Sequence, residues 1–140
     1  MGIYSIWIST LVLSRPPEDL WSLFKDFSSN HILSLAPSIH NRTNTRGTIH
    51  YGLTGLSNGV MLMHLERMKK IFSGWVETTM AIHDKHKSSI NLTHQDILNI
   101  FFAFYPDKLF ELPCEWNYRV LPCTKVSRYG KEWMLDDKLN

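Results

Sequence analysis

The chain has 140 residues, 44% of them apolar and 12% aromatic, which is enough to build one packed domain and excludes an intrinsically disordered chain. Lys and Arg number 15 against 13 Asp and Glu, a net charge of +2 scattered along the chain without a block of like signs. That distribution excludes a basic nucleic-acid-binding arm or an acidic tail as the basis of function, while seven histidines make the protein more basic as pH falls toward about 6.5.

The apolar run from Ile3 to Leu13 is broken by Ser5, Ser9 and Thr10, and it falls short of the roughly 17–25 residues of a membrane-spanning helix. It lacks the basic start and small-residue cleavage site of a signal peptide. It therefore reads as a buried strand, and a chain that opens inside a core strand is expected to be a piece of a longer protein. Arg15-Pro16-Pro17 ends the extended run. Pro17-Glu18-Asp19 then opens a helix, with Leu20, Leu23, Phe24 and Phe27 at i, i+3, i+4, i+7 as its apolar stripe. Ile32, Leu33 and Leu35 predict a short extended segment ending at Pro37.

Residues 38–54 are polar and read as a surface loop. Gly55-Leu56-Ser57-Asn58-Gly59 predicts a turn leading into a strand at Val60–Met63 that is buried on both faces. Leu65–Ile71 predicts a helix with Leu65, Met68 and Phe72 inward. Trp75 to His86 predicts another, burying Val76, Thr79, Met80 and His83. The clearest helix starts at Thr93, a plausible N-cap, carries Ile97, Ile100, Phe101 and Phe104 at helical spacing, and stops before Pro106. Leu109–Leu112 reads as a strand, Pro113–Tyr118 as an irregular aromatic loop, and residues 124–140 as an irregular tail. Alternating strands and helices predict a single α/β domain over residues 1–140 with a partly parallel sheet, and in such sheets ligands bind at the carboxyl ends of the strands.

Several residues are candidates for chemistry. Gln95 and Asp96 open a helix beside a loop, where polar side chains can face a ligand or simply cap the helix. His83 and His86, three apart on one helix, are too few for a metal site on their own. Trp116-Asn117-Tyr118 pairs an aromatic face with an amide, a combination suited to stacking on a sugar ring and equally to core packing. Two N-x-Ser/Thr sequons, at Asn41 and Asn91, together with the cysteine pair Cys114 and Cys123, point to a secretory-pathway protein in which the sequons are candidates for glycosylation and the cysteines for a disulfide.

An ordered set of motifs runs from about Thr10 to Cys123: Arg15-Pro16 with Leu20-Trp21, Leu35-Ala36-Pro37, Gly55 to Met63 with Arg67-Met68, Gln95-Asp96-Ile97-Leu98-Asn99, and Pro113 to Arg119. Together they resemble the glucoside xylosyltransferases, in the C-terminal half of such an enzyme. The resemblance implies a partial glycosyltransferase-A fold, an incomplete mixed sheet flanked by helices. It also implies a retaining, Mn²⁺-dependent transferase that is a type II membrane protein of the Golgi or endoplasmic reticulum. Such an enzyme moves xylose from UDP-xylose to an O-linked glucose on EGF-like repeats. By this resemblance Gln95 and Asp96 are the catalytic residues, Ser57, Asn58, Gly59 and His94 line the donor sugar, and Trp116, Asn117 and Tyr118 meet the acceptor.

The chain also departs from that pattern. Ile8-Ser9-Thr10 stands in the slot of the family's Asp-x-Asp metal motif and contains no carboxylate. Arg128-Tyr129-Gly130 lies nearest the late His-Gly metal ligand. Ser57-Asn58 replaces Asn-Ser, and Thr93-His94 replaces the first two residues of Gly-Asp-Gln-Asp. The upstream strands that hold the nucleotide are missing. A hard divalent ion bridging a diphosphate needs carboxylate and imidazole ligands. Two expectations follow: the sugar- and acceptor-binding half of a transferase, or a catalytically inactive lumenal module that binds a glycan or a partner protein.

Overall fold

The computed structural model describes residues 2–8, 13, 15–38, 49–52, 54–91 and 93–117. In chain order these form β1 (Tyr4–Ile8), α1 (Pro17–Ser22) continued by a 3-10 turn (Leu23–Asp26), β2 (Leu33–Pro37), β3 (Leu56–His64), α2 (Leu65–Lys70), α3 (Trp75–His86) and α4 (Thr93–Phe104). A 3-10 turn (Pro106–Lys108), β4 (Leu109–Glu111) and a further 3-10 turn (Cys114–Asn117) complete them. Among the described residues the strands make one mixed sheet in the order β1-β3-β2-β4, with β3 antiparallel to both neighbours and β2 parallel to β4.

Successive strand residues point to opposite faces, and the two apolar clusters divide accordingly. Leu33 and Leu35 of β2, with Met61 and Met63 of β3, pack against α4 through Leu98, Phe101 and Phe102. Leu62 and Val60 of β3 and Ala36 of β2 pack on the other face with Leu20 of α1, Leu112 and Trp116. Every residue of β2 is buried, so β2, and not Val60–Met63, is the strand covered on both sides; in β3 Met61 and Met63 are only half-buried.

Further expectations are corrected. The glycine-framed segment is not a turn before the strand: Leu56 to Gly59 belongs to β3 itself. Its irregularity is a bulge, because Leu35 pairs with Met61 whereas the next residue, Ala36, pairs with Ser57, so that three extra residues of β3, 58–60, stand against a single step of β2. Phe72, expected inward, is 59% exposed at a positive φ of 46° after α2 ends. Val76 and Met80 of α3 are also exposed, because the helix is turned so that Trp75, stacked edge-on against Phe101 at 5.1 Å, and Ile82 face the core. The first strand, expected to be buried, has no fully buried residue and exposes Trp7 and Ile8; it stops at Ile8 in the described residues, and 9–12 lie outside them.

Candidate functional site

A cleft of about 550 Å³ opens on the sheet face that carries α3 and α4. Leu33, Met61 and Met63 form its floor. Trp75, Thr79 and His83 of α3 make one wall, and His94, Ile97 and Leu98 of α4 another. Trp7 of β1 and Asn58 of β3 also line it. This volume lies in the range of small-molecule sites, which are mostly apolar with a few directed polar groups.

The bulge explains how Asn58 reaches the cleft. Extra residues in one strand re-aim a side chain and bend the strand. Here the flanking Ser57 is buried and its hydroxyl accepts the Gly59 N–H at 3.4 Å. The bulge is held from α4: buried Asn99 accepts the Leu56 N–H at 2.7 Å and donates to the Leu56 carbonyl at 3.0 Å and to Gln95 O at 2.8 Å. His94, in the first turn of α4, is exposed and reaches the cleft from the other side. Thus two of the four residues assigned to a sugar meet in one cavity, while Ser57 and Gly59 support the strand beside it.

Gln95 and Asp96 do not line the cleft. Asp96 is buried and its carboxylate accepts the Asn91 N–H at 2.7 Å, closing the turn into α4. Trp116 lies in the cluster on the other face of the sheet, 3% exposed, and the neighbouring Asn117 is 2% exposed. The Arg15 guanidinium sits 5.3 Å above the Trp116 ring and is ion-paired to Glu115 at 2.7 Å and Asp19 at 3.1 Å. An exposed stacking platform is therefore corrected for Trp116: the turn at Cys114–Asn117 folds its indole into the core, and the aromatic face carries a cation. The Asn117 amide and the Ser34 hydroxyl, both buried, have no hydrogen-bond partner among the described residues. Tyr118, Asn41, Cys123 and the side chain of Cys114 lie outside the description; Asn91 is exposed.

Trp7, Trp75, Thr79 and the His83-Asp84 pair, whose side chains approach to 3.3 Å, were not singled out together by sequence reasoning. The i, i+4 relation of Trp75, Thr79 and His83 on one helix is the signal that places them on one wall. Among the described residues no group of three or more His, Cys, Asp or Glu could hold a metal ion, and no helix is long and apolar enough to cross a membrane. The residues in the place of the family's metal motif do not fit a divalent ion that bridges phosphates. Ile8, first of the three, is an aliphatic residue ending β1, and Ser9 and Thr10 add hydroxyls without a carboxylate.

No protein-family model matches the chain. Among curated proteins the chain is similar to glucoside xylosyltransferase 1 of Mus musculus, 38% identical in a 134-residue alignment covering 84% of this chain and 33% of that protein. It is similar to glucoside xylosyltransferase 1 of Homo sapiens at 38% identity, covering 84% and 30%, and to glucoside xylosyltransferase 2 of Mus musculus at 36%, covering 84% and 30%. The chain spans about a third of the length of these curated relatives. Among solved structures, mouse xyloside xylosyltransferase 1 in its apo form superposes with a TM-score of 0.52 at 22% identity, over 78% of this chain and 42% of that one. This shows the fold, a partial glycosyltransferase-A arrangement with an incomplete mixed sheet.

Proposed function

Because this chain is a homologue of the glucoside xylosyltransferases over about a third of their length, we propose that its cleft is the sugar-recognising part of a glycosyltransferase acting with UDP-xylose. The observation that carries this is the meeting of Asn58 and His94, from two separate motifs, in one cavity walled by Trp7 and Trp75. An amide and an imidazole supply the directed donors and acceptors a pentose requires, and indole faces supply apolar surface for its C–H groups. Gln95 and Asp96 follow His94 directly; in this proposal they set the turn that presents it, Asp96 through its bond to the Asn91 amide. Transfer to an O-glucosylated EGF-like repeat, with retention, in the lumen of the Golgi or endoplasmic reticulum, belongs to the same proposal. When bound, a divalent ion in such enzymes neutralises the departing diphosphate.

Saturation-transfer NMR with UDP-xylose tests the reading. The xylose protons are expected to receive more saturation than the uridine protons, and Asn58→Ala with His94→Ala to remove the effect while the far-ultraviolet circular dichroism is unchanged. Equal or absent saturation of the sugar would sink it. The second reading, a catalytically inactive lumenal module binding a glycan or partner, is favoured by the absence of carboxylates at Ile8-Ser9-Thr10. Xylose transfer by the 140-residue chain to an O-glucosylated EGF-like repeat would exclude it.

A further inference from the structure

The two polar side chains that meet in the cleft, Asn58 of β3 and His94 of α4, stand on elements far apart in the chain. A regular ladder fixes which way a strand side chain points, and a bulge gives that up. Asn58 sits where three extra residues of β3 stand against a single step of β2, and among the described residues the register with β1 ends at the Ile8–Val60 pair. Strand pairing alone therefore leaves the direction of Asn58 open. The Asn99 side chain takes the place of the missing step. It treats Leu56, two residues before Asn58, as a neighbouring strand would: Oδ1 accepts the Leu56 N–H at 2.7 Å and Nδ2 donates to the Leu56 carbonyl at 3.0 Å. Two bonds from one planar amide to one residue fix its rotation as well as its position. The second Nδ2 hydrogen goes to the carbonyl of Gln95 at 2.8 Å, one turn back along α4 and directly after His94.

We infer that Asn99 is the positioning residue of the cleft, its one buried amide setting the separation and relative orientation of Asn58 and His94. Binding groups that act together must be held to about 0.5 Å by neighbours that are themselves locked. Leu56 and Asn99 are each 1% exposed, so this link lies in the core and does not depend on what covers the surface. With the Tyr51 N–H at 3.4 Å as the second bond to Oδ1, the amide uses both its donors and both its acceptor sites. Other side chains do not replace it. Asp keeps the acceptor but turns a carboxylate on two carbonyls, Leu makes none of the bonds, and Gln carries the same groups one methylene further out. That the two held side chains meet a xylosyl group rests on the function proposed above. That they are held together rests on these bonds alone.

Asn99→Asp tests this, with Asn99→Ser as a second variant, judged on whichever keeps the wild-type circular dichroism. Ile100→Ala, which empties the adjacent buried position of α4 outside the cleft, controls for lost stability alone. Amide nitrogen relaxation dispersion of the free 140-residue chain is expected to show Asn58, Gly59, His94 and Gln95 exchanging at one common rate in the Asn99 variants, with no such shared process in the wild type or in Ile100→Ala. Titration with UDP-xylose, read on the xylose protons by saturation transfer, is expected to give a dissociation constant raised about tenfold in the Asn99 variants and close to wild type in the control. In the wild type itself, a coupling across the hydrogen bond is expected between the Leu56 nitrogen and the Asn99 side-chain carbonyl carbon. Absence of that coupling, exchange confined to β3 or to α4, exchange shared equally by Ile100→Ala, or an unchanged dissociation constant would each overturn the inference. A wild type whose xylose protons take up no selective saturation sinks the proposed function instead, and the coupling and relaxation measurements then still decide whether Asn99 joins the two sides.

Discussion

Asn99 shows what a single residue contributes here and why a linear reading passes over it. Its side chain is 1% exposed, yet both ends of the amide are used: Oδ1 accepts from the backbone N–H groups of Leu56 and, at 3.4 Å, Tyr51, and Nδ2 donates to two carbonyls. The motif Gln95 to Asn99 was visible as a family feature. The function of Asn99 was not, because its partner Leu56 lies 43 residues away and only the fold joins them. Trp116 failed in the same way: an aromatic beside an amide suits a sugar, but the stacking partner of this ring is Arg15, a residue nothing local connects to it. Asn99→Leu keeps the branched heavy-atom skeleton of the side chain and strands both polar groups of Leu56. A buried donor or acceptor left unmade costs about 1–3 kcal/mol, so a loss of about 2–4 kcal/mol is expected. Urea unfolding reads it, and a loss below about 1 kcal/mol would show that the amide is not what holds β3 to α4.

At the scale of elements the helices were the most legible, because α3 and α4 begin and end where turn residues and proline say they should. Which side of α3 faces inward was not legible. Trp75 and Val76 are neighbours about 100° apart around the helix, and it is Trp75's contact with Phe101 that selects the rotation, sending Val76 and Met80 outward. The limits of β3 were hidden because glycines that read as a turn belong to a bulged strand. α3 buries none of its residues fully, so its position depends on how it is entered. Gly74 makes that entry at φ 111° and ψ 157°, a region that residues with a Cβ avoid, while its carbonyl accepts the Thr78 N–H at 3.1 Å and hydroxyl at 2.7 Å. A Cβ there would also stand 2.5 Å from the Glu77 carboxylate, which can swing away; the backbone cannot. Gly74→Ala is expected to cost about 1–3 kcal/mol. Amide hydrogen exchange should accelerate in α3 while α4 stays protected, and equal acceleration of both would show that α3 is not an independently loosened wall of the cleft.

The molecule as a whole is two apolar layers on one sheet, and a charged bridge ties the connections around it. Arg67, in α2, donates to the carbonyls of Ser28 at 2.5 Å and His31 at 2.7 Å, joining the segment after α1 to the end of β3. His64, where β3 becomes α2, accepts the Arg67 N–H at 3.5 Å and stacks on Tyr4 at 4.6 Å. His31 packs between Phe27 and Phe110. Burial holds both imidazoles below their ordinary value of 6.5, and the Arg67 charge pushes them the same way. Asp107 pulls against this at His31 and Glu66 at His64, where Lys70 adds to the lowering. Folding therefore favours the neutral rings. As pH falls through about 6.5 the unfolded chain takes up protons first, so the contribution of these groups is present above that pH and is lost below it. In His64 the proton also removes the acceptor that caps α2. The urea midpoint is expected to drop between solutions well above and well below pH 6.5, and the drop to shrink in the double variant His31→Gln with His64→Gln. An equal drop in that variant would assign the acid sensitivity to the carboxylates, and a rise in the wild type at low pH would reverse the sign derived from these two sites.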